Sequence, residues 1–141
     1  MSQIILTSLY NKLIAVQTAG TVYALVGGRI FQLEANQGTV MPLLTFAIQS
    51  ERTETFMESA TASKHVLEIA FSFWFKPDSS IVTAMAAEAA LFLLLQKTSV
   101  TPSDAAYSTI EMVCISRGTP MMTEDAIEVT TNYRLFATKQ T

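Results

Sequence analysis

Residues 22–50 read VYALVGGRIFQLEANQGTVMPLLTFAIQS and set the order of elements for the whole chain. A short helical turn over Val22–Leu25 stops at the pair Gly27-Gly28, because glycine takes the left-handed conformation that ends a helix without a Cβ penalty. Arg29-Ile30-Phe31 then opens a brief β-prone segment reaching Leu33. Turn chemistry follows around Asn36 and Gly38, and Pro42 suits the start of a strand from Leu43 to Gln49. Two glycines beside an arginine also raise a phosphate loop. Their spacing is neither G-x-G-x-x-G nor that of a Walker lysine motif, and they end a helix rather than begin one. Gly27, Gly28 and Arg29 therefore read as a structural turn.

Outward from that stretch, Ile5, Leu6, Leu9, Leu13 and Val16 recur at the helical period and predict an amphipathic helix over Ile4–Val16, broken by Gly20. Leu44, Phe46 and Ile48 alternate with Leu43, Thr45, Ala47 and Gln49. Leu67, Ile69, Phe71, Phe73 and Phe75 alternate with Glu68, Ala70, Ser72 and Trp74. Period two marks strands with one buried face. Between these strands, Glu51–Lys64 is polar and reads as a protruding, mobile hairpin tip. Pro77-Asp78-Ser79-Ser80 offers caps for a helix from Ile81 to Gln96. That helix is apolar on nearly every side apart from Glu88, so it needs cover on every side. Pro102 and Ser103-Asp104 mark a loop over Lys97–Tyr107. Alternating strands follow at Ile110–Ile115 and Ile127–Leu135. Helix, short strand, two long strands, helix and two strands predict one α+β domain over residues 1–141. Its antiparallel sheet has four to five strands, with two helices packed on one face.

Apolar residues make up 50% of the chain and charged residues only 15%, against about 25% in a typical domain. A monomer needs a wetted polar shell, so the deficit points to surface that meets other protein. The net charge is −3 and no basic run occurs, which argues against direct nucleic-acid binding. The N-terminus MSQIILTSLYNK has neither a cationic start nor a cleavage site, so no export signal is expected. Ile81–Leu95 is too short to span a bilayer, which requires ~20 apolar residues. The single cysteine forms no internal disulfide and fits a reducing compartment.

Candidates for catalysis are few. His65 is the only histidine and reads as a solvated strand-start residue. Cys114 shares a strand face with Ile110 and Met112 and reads as a buried, inert thiol. Glu124-Asp125 lacks the spacing of a calcium loop, and Glu51, Glu54 and Glu58 belong to the polar tip. No metal, cofactor or catalytic site is expected, and the chain reads as a non-enzyme. Trp74 points opposite to Phe71, Phe73 and Phe75. So large an apolar group on the outer face is either a rim contact or part of a subunit interface. Met121-Met122, after Pro120, is a further candidate contact.

Taken in order, several segments resemble the tail-completion or tail-terminator proteins of long-tailed phages. They are the helix Ile4–Val16, Val26-Gly27-Gly28-Arg29-Ile30-Phe31, the strand Pro42-Leu43-Leu44-Thr45-Phe46, the strand Val66–Phe75, the apolar helix Ile81–Gln96 and the paired C-terminal strands. The resemblance implies a homo-oligomeric ring, usually a hexamer, in the virion tail or neck and assembled in the host cytoplasm. Such a ring caps the tail tube protein, stops tube growth and docks the head-tail connector, while DNA passes through its lumen. It carries no catalytic residues and no membrane contact. On that view Glu51, Glu54 and Glu58 face the lumen or an axial neighbour, and Trp74, Met121 and Met122 lie at subunit contacts. A head-completion protein on the connector side would share these traits. A small enzyme or ligand carrier would instead gather His65, Cys114 or the carboxylates into a pocket.

Overall fold

The computed structural model describes residues 2–32, 40–55, 62–96, 99–100 and 107–140. Helix α1 spans Ser2–Ile14, α2 Val22–Leu25 and α3 Ile81–Leu95. The strands are β1 (Ile30–Gln32), β2 (Leu43–Thr55), β3 (Ala62–Phe75), β4 (Ser99–Val100), β5 (Tyr107–Ser116), β6 (Met121–Met122) and β7 (Ile127–Gln140). They form one mixed sheet in the order β1-β2-β3-β7-β5-β4, with β6 beside β7. The expected α+β class holds, with two substantial helices on one side of the sheet.

Long antiparallel pairings carry the sheet. Phe46, Ile48 and Leu44 of β2 stand opposite Phe71, Ile69 and Phe73 of β3, and these in turn stand opposite Thr131, Tyr133 and Val129 of β7. Period-two alternation therefore brings one face of three strands together. Phe46 stacks on Phe71 at 5.6 Å between ring centroids, and Phe71 meets Tyr133 edge-on at 5.4 Å. Helix α1 adds Ile5, Leu9 and Leu13, and α3 adds Ala84, Ala87, Leu91 and Leu95, all at most 1% exposed. Ser80 caps α3 by accepting from the amide of Val82 at 3.1 Å, which satisfies one of the free donors at the helix start.

Several expectations change. Strands β1, β4 and β6 enlarge the sheet beyond four or five strands, and β1 runs parallel to β2, not antiparallel. A parallel pair needs a crossover and not a tight hairpin turn, and residues 33–42 separate Gln32 from Leu43. The polar segment Glu51–Lys64 is mostly strand rather than loop: Arg52, Thr53 and Glu54 pair with Val66, His65 and Lys64. Main-chain pairing with β3, itself backed by β7, satisfies these amides without any apolar signal in the side chains. The tip itself, residues 56–61, lies outside the described residues. Helix α1 ends at Ile14, and Val16 is 48% exposed instead of completing the buried stripe.

Candidate interaction surfaces

Helix α3 is buried on one side only. Its sequence is apolar all round, yet Val82, Met85 and Leu93 are 73%, 54% and 80% exposed. With Ala86 and Ala89 they share one face at the helical period, and no described element covers it. A groove of about 450 Å³ flanks the Val82 end, between α3 and the β5–β6 connection; Val82, Met85, Ala86, Ala89, Gly118 and Pro120 line it. A second groove of about 280 Å³ flanks the other end, where Val16 and Val22 face Ala90, Leu93 and Leu94.

Glu88 explains how the first groove keeps its shape. Its carboxylate is 8% exposed, and Arg117 grips it through both arms, with Nε 2.7 Å from Oε1 and Nη2 2.6 Å from Oε2. A fork of two parallel bonds fixes orientation as well as charge. The guanidinium also lies 4.1 Å from the centre of the Phe92 ring. Arg117 thereby ties the β5–β6 connection onto α3, and the bond to Glu88 raises its pKa further. Next to this tie, Gly118 approaches β7 so closely that a Cβ there would sit 1.9 Å from the Thr130 carbonyl oxygen. Only a residue without a side chain lets the connection lie on the strand.

The groups singled out from sequence are scattered. Trp74 is half-buried on the open side of the sheet, opposite Leu43 and Glu128, and its indole N–H donates to Thr45 Oγ1 at 3.4 Å. Met121 and Met122 are 65% and 61% exposed in β6, directly after Pro120 of the groove. Gly27 and Gly28 both adopt positive φ, and Gly28 donates its amide to Tyr23 O at 2.8 Å, closing the end of α2. Arg29 Nε donates to Pro42 O at 2.8 Å and Arg29 O accepts from Leu44 N, so the turn joins the start of β2. Glu51 is exposed and Glu54 stands opposite Lys64 in the register, while Glu58 lies outside the described residues.

His65 departs from expectation. It is 8% exposed within β3, and Nδ1 lies 3.1 Å from Thr53 Oγ1. Pairing on both edges by β2 and β7 encloses a position that sequence places at a strand mouth. Cys114 is part-buried, and its amide donates to Gln96 Oε1 at 2.6 Å. Burial and then the charge of Glu88 push the thiol pKa up, which suppresses the thiolate a nucleophile needs. Burial raises the phenol of Tyr133 well above its ordinary range. Among the described residues no three His, Cys, Asp or Glu side chains come together as a metal site. Groups with perturbed pKa values surround the Glu88–Arg117 pair, where a structural ion pair and burial account for them.

The fold has solved counterparts. A chain in a structure of the virion of a native gene transfer agent (GTA) particle superimposes with a TM-score of 0.70 at 15% identity, covering 96% of each chain. A second solved chain superimposes with a TM-score of 0.61 at 10% identity, covering 97% of this chain and 96% of its own. At these identities the shared property is the fold. No family model matches the sequence, and no curated protein matches it either.

The exposed stripe of α3 and the Arg117 tie were the features least visible in sequence. A single acidic residue inside an apolar helix was the available signal, because a buried carboxylate demands a cationic partner. Which arginine supplies it depends on a contact across 29 positions.

Proposed function

We propose that this protein is a non-catalytic structural component of a phage-like virion that caps the end of a tail tube. In this role subunits close into a ring, most simply a hexamer, which ends tube growth and presents the surface that receives the head-tail connector. The genome passes through the lumen without specific binding. The observation that carries the reading is the end-to-end likeness to a chain of a gene transfer agent virion. Apolar groups left in water on α3 and β6 add support, since a protein with 50% apolar residues needs partners to cover them.

Two sets of contacts follow as part of the proposal. Trp74 on the open sheet face, with Met121 and Met122, lies at subunit contacts. Glu51 and Glu54 of β2, with Glu58 next in sequence, line the lumen or touch an axial neighbour. Anionic groups along a channel repel DNA phosphates and lower sticking during passage. The deciding experiment is co-sedimentation with purified tail tubes. Binding to tube ends as a ring supports the cap, whereas binding only to connector-bearing heads assigns the protein to the head side of the neck. Trp74→Asp protein that still completes rings by light scattering removes Trp74 from the subunit contact. Lysine at Glu51, Glu54 and Glu58 should slow genome exit, and unchanged infectivity with intact rings would remove the lumen role.

A further inference from the structure

The outward stripe of α3 is self-complementary. Val82 and Leu93, the two most exposed large apolar side chains of the helix, stand equally far from the midpoint between Ala87 and Glu88. Ala86 and Ala89 are placed symmetrically about that same midpoint. When two copies of such a helix pack antiparallel about a two-fold axis through the midpoint, Val82 of one comes level with Leu93 of the other. Ala86 then faces Ala89 at the crossing, where small side chains allow the axes to approach to about 8 Å. The two knobs are separated by about 16 Å along each helix. The grooves match that spacing, since the larger lies at the Val82 end and the smaller at the Leu93 end. Each projecting side chain therefore arrives beside a groove of the other copy.

We infer that α3 is an isologous contact surface whose occupant is the α3 of a second copy of this chain. Electrostatics allows it, because the stripe from Val82 to Leu93 carries no charge of its own and Arg117 at its flank is paired with Glu88. Area requires the grooves to take part. A stripe about 16 Å long and 10 Å wide falls well short of the ~800 Å² per partner of a standard interface. The walls around Val16 and Val22 on one side, and Gly118 to Pro120 on the other, supply further contact. The inference goes beyond the virion reading and does not depend on it. Ring contacts are heterologous and repeat around an axis, whereas a two-fold contact joins two subunits or two rings back to back.

Sedimentation equilibrium over a wide concentration range tests the contact. The wild-type chain is expected to associate reversibly as a dimer, and Leu93→Asp to weaken that association at least about tenfold with an unchanged circular dichroism spectrum. Register is tested in a Cys114→Ser background by mixing an Ala86→Cys protein with an Ala89→Cys protein under mild oxidation. Cross-links between the two variants should exceed those within either one. A wild-type chain that stays monomeric, or a Leu93→Asp dimer as tight as wild type, would overturn the inference. So would cross-linking within each variant that equals cross-linking between them. If Leu93→Asp instead abolishes only tube binding by a monomeric wild type, the stripe belongs to the tube contact. The two-fold proposal then fails while the capping role stands.

Discussion

The two faces of the sheet obey different rules. On the helix-covered face Leu67, Ile69, Phe71, Phe73, Leu135 and Tyr133 are fully buried. On the opposite face the same strands present Ser72, Ala70, Glu68, Thr130, Asn132 and Arg134, each half-buried. Those side chains bond to one another across and along the strands. Ser72 Oγ lies 3.2 Å from Thr130 Oγ1, Thr130 donates to Glu128 at 3.2 Å, and Arg134 Nη2 sits 2.9 Å from Glu68. Burial of apolar area holds the first face, at about 25 cal/mol per Å². Cross-strand pairs worth a few tenths of a kcal/mol each hold the second. A face stabilised so weakly in water is free to accept protein, and it carries large aromatic groups, Trp74 and Phe136, both half-buried.

Truncation should expose the contrast most strongly at Phe71, which is fully buried and touches two rings. Phe71→Ala should cost about 3–5 kcal/mol in chemical denaturation, through lost transfer energy and the cavity left behind. A cost below about 1 kcal/mol would mean that the covered face is not the core. Arg117→Ala comes next. It strands a carboxylate that is 8% exposed, but the arginine side chain is itself 46% exposed, so water re-enters. About 2 kcal/mol is expected rather than the 3–5 of a fully buried pair. Glu88→Gln/Arg117→Met should recover part of that loss, which a thermal melt would register.

On the open face, Arg134→Ala breaks a pair whose side chains are 44% and 39% exposed, and should cost no more than about 1 kcal/mol. A loss as large as that at Phe71 would erase the distinction between faces. The smallest effect concerns reactivity instead of stability. Cys114 has a raised pKa, so less of it is thiolate near pH 8 than in a free cysteine, and alkylation should be slower. Its rate should keep rising at pH values where a free thiol has already levelled off. Glu88→Gln should quicken the reaction by removing a negative charge that opposes the thiolate, and an unchanged rate would separate Cys114 from the ion pair.

Sequence periodicity alone placed the long strands, the faces they bury and both major helices, because period two and period 3.6 are local consequences of backbone geometry. It also marked Gly27-Gly28 as the end of a helix, since a left-handed residue is a local requirement. Pairing was decided elsewhere. The parallel join of β1 to β2, the extension of β2 and β3 through polar residues, and the enclosure of His65 all depend on neighbouring strands. Backbone amides can satisfy one another there whatever the side chains are. For α3, composition made the helix apolar on every side, but only the tertiary structure selects which side faces the sheet. The sheet offers one face to α3, and Arg117 reaches Glu88 from one flank, so Val82, Met85 and Leu93 are left in water. A local pattern specifies how much apolar surface a helix has, whereas the number of elements packed around it determines how much remains for a partner.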